Sequence, residues 1–270
     1  LYKNTLDNHK VELISERARC AQEVAQVKLD ASQSDEAPPV FYRPEREAQV
    51  LRAIQERNPG PLASEHIASI FREIMSSCLA LEQPLSVAFL GPEGTYSQAA
   101  ALKHFGQSAM PQGQASIHKV FRQVEERLCD YGVVPVENST EGMVGQTLDC
   151  FLESPLQITG EIELPVVHHL LAGRGAEQSD IQLILGHEQA LGQCRQWLDS
   201  HLPKVPREAV ASNGEAARRA GVEAGVAGIA GELAAGLHQL DTLASAIQDS
   251  STNTTRFLVL GKEMIPPSGH

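Results

Sequence analysis

The chain has 270 residues, 42% hydrophobic and 21% charged, enough to bury one large core or two modest ones. Its formal net charge of -12 at pH 7 argues against nucleic acid or an anionic membrane as partner, since both are held by clustered Lys and Arg. No apolar run approaches the roughly 20 residues that span a bilayer, and the opening LYKNTLDNHK lacks the basic-then-apolar pattern of a signal peptide, so the chain reads as cytoplasmic.

Five cysteines, Cys20, Cys78, Cys129, Cys150 and Cys194, are odd in number and widely spaced, which fits reduced structural thiols better than disulfides. His168 and His169 are adjacent, and no CxxC or HExxH occurs, so no metal is expected.

The first third reads as helix. Leu6, Leu13, Ile14, Ala21, Val24 and Val27 recur near helical spacing with no Gly or Pro before residue 38. DASQSDEAPP breaks this long first helix; Pro44 suits the first turn of a second, PEREAQVLRAIQERN, which NPGP ends. Ser64 is placed to cap a third helix whose Ile67, Ile70, Phe71, Ile74, Cys78 and Leu81 form one stripe. The first helix is too long for its two successors to cover, which predicts a helical dimer.

From EQPLS onward, apolar runs of strand length alternate with helical stretches. SVAFL precedes SQAAALKHF, YGVVPV precedes TLDCFLE, and IQLIL precedes EQALGQCRQWLDSHL. REAVAS and NGEAARRAG, GVAGIA and GELAAGL continue the pattern, and TRFLVLG closes it. Such alternation predicts a mostly parallel sheet with helices on its faces and ligands beyond the carboxyl ends of its strands. The last residues, KEMIPPSGH, read as a linker toward a further domain.

The stretch FLGPEGTYS has the outline of a phosphate loop, but Gly91 and Gly94 are followed by no Lys, and GxGxxG is missing too. What remains is a strand-to-helix turn offering backbone N–H groups, the Thr95 and Ser97 hydroxyls and a helix N-terminus, a setting for a carboxylate. A tight turn with Ser97 as helix cap is the plainer reading of that loop alone. PVENSTEG adds Asn138, Ser139, Thr140 and Gly142 at another strand end, and NTTRFLVLG adds Thr254, Thr255 and Arg256. Together these make a carboxylate-binding, proton-donating set without a strong nucleophile. No GxSxG occurs, which disfavours a serine hydrolase.

In the helical part, Arg17 and Lys28 are 11 residues apart, close to three turns, with Cα atoms about 16 Å apart on one side of the first helix. They share the stripe of Leu13, Ala21 and Val24, where a charge requires a partner, and a small dianion fits between them. Arg46 and Glu47 open the second helix, and Glu82 lies one turn beyond Cys78 on the third.

These residues resemble the bifunctional family in which an all-helical chorismate mutase is fused to prephenate dehydratase. FLGPEGTYS, VVPVENSTEG, GEIELPVVHHLL, GHEQALGQC and NTTRF carry the dehydratase resemblance, and ISERARCAQEVAQVK followed by RPERE carries that of the mutase. The resemblance implies a three-helix mutase region over 1–83 forming an intertwined dimer, and a dehydratase over 84–263 folded as two α/β lobes similar to a type II periplasmic binding protein. Residues 264–270 would then be a linker to an ACT regulatory domain not present in this chain, so no response to phenylalanine is expected.

By the same resemblance, Arg17 binds a carboxylate of chorismate, Lys28 its ether oxygen, and Arg46 orders the site. Glu47 meets the substrate hydroxyl. Glu82 stands where the family has Gln or Glu at the ether oxygen, and it must be protonated to help, since a carboxylate would repel the developing charge. The family's first helix also sends an Arg into the partner's site; counting back from Arg17 puts it before Leu1, so impaired mutase turnover is expected. Thr255 matches the catalytic threonine of the family's Thr-Arg-Phe motif. Arg256 and Phe257 shape that site, and Asn138, Ser139, Thr95, Ser97 and the backbone near Gly91 and Gly94 hold carboxylates. No cofactor is implied; chorismate and prephenate are the substrates. A non-catalytic two-lobed anion sensor, a dehydratase preferring arogenate, and a dimer whose mutase helices have lost activity stay open as alternatives.

Overall fold

The computed structural model describes residues 2–32 and 41–265. The break expected around 33–40 and the linker residues from 266 onward lie outside them. The contacts divide the chain into two compact units. One comprises the described residues up to Val87, Leu102–Met110 and residues 263–265; the other comprises Ala88–Ala101 and Pro111–Lys262.

In the first unit, α1 (Tyr2–Ser32) and α2 (Pro44–Glu56) both pack on α3 (Ser64–Glu82). Pro44 sits at the first helical position of α2, where its missing N–H costs no bond. Ser64 does not cap α3. The N-cap is Ala63, without a side-chain bond, and the Ser64 hydroxyl instead accepts from Asn58 Nδ2 at 3.3 Å.

The face of α1 that is covered also differs from expectation. Ala25 is buried and Ala18, Ala21 and Lys28 are half-buried, whereas Leu6, Val11, Leu13, Ile14, Val24 and Val27 are exposed, and so is Arg17. Lys28 therefore travels with the alanines and not with Leu13 and Val24. The side chains that α3 buries are small as well, Ala68, Ser76 and Cys78. At 1.5 Å per residue α1 is about 46 Å long and α3 about 28 Å, so α1 outruns its cover.

The segment Leu102–Met110 completes this unit. Gly106, at φ 80°, lies where any side chain would meet Ser76, its Cβ 2.4 Å from that of the serine. The next N–H, of Gln107, donates to the Glu73 carboxylate at 3.0 Å.

The α/β region builds two sheets. The first runs β2 (Met110–Gln114), β1 (Ser86–Leu90), β3 (Tyr131–Asn138), β11 (Thr254–Gly261), β5 (Gln157–Pro165), with β4 (Gly142–Met143) paired to β3. Helices α4 (Tyr96–Phe105), α5 (Ile117–Glu125) and α6 (Gly145–Glu153) connect its strands. The second sheet runs β10 (Asp241–Ala244), β6 (His169–Ala172), β9 (Val226–Ala230), β7 (Leu183–Gly186), β8 (Arg207–Ala209). Its helices are α7 (Glu188–Gln193), α8 (Arg195–His201), α9 (Asn213–Val222) and α10 (Glu232–His238).

The expectation of a mostly parallel sheet is corrected: both sheets are mixed. β11 lies antiparallel to β3 and to β5, and β6 is antiparallel to β9, while β7 runs parallel to β8 and β9. The cause is connectivity. The chain leaves the first sheet at Val166–His168, builds the second, and returns through Gln248–Asn253 to insert β11 between β3 and β5. The two crossing segments run side by side, Val166 N–H donating to Asn253 O and Ile247 N–H to His168 O, each at 2.8 Å.

Strand alternation sends Leu170, Ala172, Ile184, Ala227 and Ile229 into one core of the second lobe, and Leu171, Leu185, Val226 and Ala230 into the core on the opposite face. Burial on both faces is why these strands are apolar throughout. Gly228 lets α9 lie against β9, since a Cβ there would stand 2.6 Å from Ala216 O. The cysteines are all free; Cys78, Cys129 and Cys194 are buried, Cys150 is half-buried, and Cys20 is exposed on α1. Among the described residues no helix is long and apolar enough to cross a membrane, and no cluster of potential metal ligands occurs.

Candidate active sites

Thr255 is the second residue of β11, 9% exposed, and stands opposite Asn138 in the antiparallel pairing with β3. Its Oγ1 accepts a hydrogen bond from Asn138 Nδ2 at 2.8 Å. The orientation of that amide is fixed from its other end, because Asn138 Oδ1 accepts the backbone N–H groups of Thr140 (2.9 Å) and Glu141 (3.1 Å). Asn138 Nδ2 also donates to Asn253 Oδ1 at 2.9 Å. Ser139 ties the same loops: it accepts from Thr254 N–H at 2.9 Å and donates toward Thr252 O at 3.3 Å. The Thr255 oxygen is thus held as an acceptor, which leaves its hydroxyl proton to be donated elsewhere.

The neighbouring motif residues divide between the faces of β11. Phe257 is 1% exposed. Arg256 points to the solvent side, its guanidinium bonded to Glu137 at 2.8 Å and Glu161 at 2.9 Å on the two flanking strands. Period-two alternation puts Thr255 and Arg256 on opposite faces, so the arginine does not join the Thr255 hydroxyl.

The loop between β1 and α4 also differs from expectation. Gly91 N–H donates to Gln114 O at 2.8 Å and Gly94 N–H to the Gln98 side chain at 2.7 Å, so neither amide stands ready for a carboxylate. The Thr95 hydroxyl donates back to Leu90 O (3.1 Å) and Pro92 O (2.9 Å), and Ser97 is buried in the first turn of α4. Gly94 is nonetheless required: its φ is 79°, and a Cβ would come 3.1 Å from that of Ala234. This loop locks itself.

Four residues without an assigned role from sequence complete the polar interior. Asn253 Nδ2 donates to Gln193 Oε1 at 3.0 Å, and the same oxygen lies 2.9 Å from His168 Nε2. His168 Nδ1 lies 3.0 Å from the Tyr96 hydroxyl, which donates to Val167 O at 2.7 Å. Burial holds the His168 imidazolium below its usual range and pushes the Tyr96 phenol far above its own. Each residue stood inside a motif already singled out: His168 in VVHHLL, Gln193 in GHEQALGQC, Asn253 in NTTRF, and Tyr96 in FLGPEGTYS. No shared flanking pattern marks the four in the sequence; what unites them is their hydrogen bonding in the fold.

In the helical unit, Glu82 feels both Lys28 and Arg17, so the three charges expected to act together do share one region. Burial raises the Glu82 carboxyl against the pull of the two cations, Lys28 the stronger. Lys28 Nζ also lies 5.3 Å from the Phe41 ring centroid. Glu47 pairs with Arg72 of α3 at 3.5 Å, with Tyr42 as a further hydrogen-bond partner, and burial still raises its carboxyl. Arg46 is exposed on α2, its guanidinium 3.5 Å from Gln49 on the same helix. Arg72, Tyr42 and Phe41 were not singled out in the sequence.

Two family profiles match this chain, chorismate mutase type II over residues 4–83 and prephenate dehydratase over residues 87–265. The "Bifunctional chorismate mutase/prephenate dehydratase" of Pseudomonas aeruginosa is 56% identical over 266 residues, covering 98% of this chain and 73% of that protein. "Arogenate dehydratase 1" of Petunia hybrida is 39% identical over 186 residues, 68% of this chain and 43% of that one. Among solved structures, prephenate dehydratase from Arthrobacter aurescens in complex with L-Phe superposes with a TM-score of 0.64 at 31% identity, over 69% of this chain and 63% of that one. A helical region matched by a mutase profile, followed by an α/β region matched by a dehydratase profile, marks a two-activity enzyme of aromatic biosynthesis. The chain belongs to the bifunctional chorismate mutase/prephenate dehydratase family, both of whose steps serve phenylalanine biosynthesis.

Proposed function

We propose that the two reactions run at the two sites described, chorismate rearranging to prephenate in the region of residues 1–83 and prephenate losing CO2 and water in that of residues 84–263. The observation that carries the dehydratase reading is the Thr255 hydroxyl, its oxygen held by Asn138 at 2.8 Å and its proton left to give. As the ring carboxylate of prephenate breaks away as CO2, the bonding electrons enter the ring, the ring C–O bond breaks, and the departing hydroxide takes a proton to leave as water. One proton is therefore taken up per turnover. A threonine is a weak acid, so orientation must supply much of the effect, and the fixed Asn138 amide supplies orientation. Ser139 and Thr254 hold the strand end in place, while Gly91, Gly94, Thr95 and Ser97 form a wall without offering free amides. Arg256 and Phe257 set the pitch of β11 by anchoring its outer and inner faces.

For the mutase reaction no covalent group is needed, only a compact substrate and a stabilised ether oxygen. Arg17 and Lys28 are the carboxylate and ether-oxygen partners, Glu82 in its neutral form the second donor to that oxygen, Glu47 the partner of the substrate hydroxyl, and Arg46 an ordering residue. The exposed Leu6, Val11, Leu13, Val24 and Val27 of α1 support a homodimer through this region, in which a second copy covers them. Light scattering at twice the chain mass is the expected result. The enzyme works in the cytoplasm without metal, cofactor, membrane or nucleic acid.

The test of the whole reading supplies chorismate and prephenate separately to the chain and to Thr255→Ala and follows phenylpyruvate. The parent forms it from both; Thr255→Ala forms little from either. A full rate in Thr255→Ala overturns the assignment. The petunia relative's name supports a second reading, in which arogenate is the preferred substrate; supplying arogenate and measuring phenylalanine against phenylpyruvate from prephenate separates the two.

A further inference from the structure

A continuous line of side-chain hydrogen bonds runs from Thr255 through Asn138, Asn253 and Gln193 to His168, and each orientation along it follows from the one before. Asn138 Oδ1 is fixed by two backbone N–H groups, so its Nδ2 faces Thr255 and Asn253 Oδ1. Asn253 must therefore present its own Nδ2 to Gln193 Oε1. That oxygen has no proton to give, so the His168 nitrogen at 2.9 Å must carry one. His168 is thereby set as its Nε2–H tautomer, and its bare Nδ1, 3.0 Å from the Tyr96 hydroxyl, shares that one hydroxyl proton with Val167 O at 2.7 Å. Its place in the backbone is equally fixed: its N–H donates to the Gln248 side chain at 3.0 Å and its C=O accepts from Ile247 N–H at 2.8 Å, so it clasps both segments that join the lobes.

We propose that His168 is a positioning residue for Thr255, keeping the threonine hydroxyl in its donating orientation through Gln193, Asn253 and Asn138. Without the imidazole N–H, Gln193 Oε1 keeps only the Asn253 amide as a donor, so Gln193 is held at one point instead of two and can shift, and Asn253 with it. The Asn138 amide stays locked at its oxygen, but its second N–H loses a fixed acceptor in Asn253 Oδ1, so the donor it aims at Thr255 is free to tilt. The Tyr96 hydroxyl holds the far side of the ring, which ties the FLGPEGTYS loop to the same register. The inference rests on Thr255 being the proton donor.

Three substitutions separate the relay from simple packing. His168→Gln can return an N–H donor to Gln193; His168→Asn keeps a polar group near Tyr96 but falls short of Gln193; His168→Phe keeps only shape. With prephenate as substrate, kcat is expected to fall about 10–100-fold in His168→Phe and His168→Asn, with KM changed by less than about threefold and His168→Gln recovering most of the loss. In a Thr255→Ala background, His168→Phe should cost no more than about twofold, because residues acting as one unit are not additive. A full rate in His168→Phe while Thr255→Ala is slow overturns the relay alone, as do additive losses or a rise in KM at constant kcat. A full rate in Thr255→Ala overturns the donor assignment beneath it. Should His168→Phe fail to fold, as thermal unfolding would reveal, equal rates in the Asn and Gln variants overturn the proposal and a faster Gln variant upholds it.

Discussion

The Asn138 side-chain amide donates to the Thr255 hydroxyl across paired positions of two antiparallel strands, at 2.8 Å. Because Asn138 Oδ1 is locked by the Thr140 and Glu141 N–H groups, the amide cannot turn to accept instead. Asn138→Asp keeps size and backbone bonds but places an acceptor where the donor stood. Thr255 would then give its proton to the aspartate, and Asn253 would face oxygen with oxygen. The expected result is a loss of about 10²-fold or more in kcat on prephenate, whereas Thr255→Ser, which keeps the hydroxyl, retains activity within about tenfold. Steady-state kinetics of both variants check this; an unimpaired Asn138→Asp would show that the amide direction is irrelevant.

Gly214, the second residue of α9, lies against the β1–α4 loop. A Cβ on it would stand 2.3 Å from the Glu93 carbonyl oxygen, closer than contact allows, and 3.3 Å from the Pro92 ring, a tight contact. Gly214→Ala must therefore move the loop that carries Tyr96 away from α9. The expected cost is about 1–3 kcal/mol of stability and about tenfold or more in kcat/KM for prephenate, through misplacement of the site's wall. Thermal unfolding and dehydratase kinetics check it. A silent substitution would show that the loop adjusts freely.

What the sequence could reveal followed the range of the forces involved. The strands and helices of the doubly covered second lobe were legible because burial on both faces makes GVAGIA, and LIL within IQLIL, apolar from end to end. β2, MPQGQ, was not: it is an exposed edge strand defined by backbone bonds such as Met110 N–H to Leu85 O, so its side chains carry no pattern. EQALGQCRQWLDSHL read as one helix but is two. The Asp249 carboxylate, distant in sequence, accepts the Gln196 and Trp197 N–H groups and starts a new helix after Cys194. The motif around Thr255 was legible by resemblance. That Arg256 turns away from it follows from strand alternation. That Gln193 and His168 reach it depends on the second crossing between lobes, which no local pattern reports.

Arg256 supplies a test of that alternation. Its ion pairs with Glu137 and Glu161 are close to half exposed on each partner, so solvent screens them. Arg256→Gln should lower stability by about 1 kcal/mol or less, more at low ionic strength, where the two carboxylates left on that face repel most strongly. Dehydratase kcat should stay within about threefold of the parent, since a group on the opposite face of the strand meets no reacting atom. Denaturant unfolding at two salt concentrations, with prephenate kinetics alongside, checks both halves. A collapse of kcat with stability intact would put the guanidinium back into the chemistry.

Glu82 gives the helical unit its pH dependence. Burial raises its carboxyl, and the attraction of Lys28 and Arg17 only partly offsets this, so the group keeps its proton to higher pH than an ordinary glutamate. Neutral Glu82 can donate to an oxygen that gains negative charge; ionised Glu82 would repel it. Mutase kcat/KM should therefore fall as pH rises through the Glu82 titration, while Glu82→Gln, a donor at every pH, gives a flatter profile and is the faster enzyme on the alkaline side. Stability has the same sign. A carboxyl whose folded pKa lies above its unfolded value favours the folded state below the unfolded pKa, about 4.3 for glutamate, and loses that contribution as pH rises through the folded value. Glu82→Gln should thus unfold at higher temperature than the parent at neutral pH and lose this advantage in acid. Mutase rates and melting temperatures across the pH range test both, and coincident profiles for parent and variant would remove Glu82 from the site.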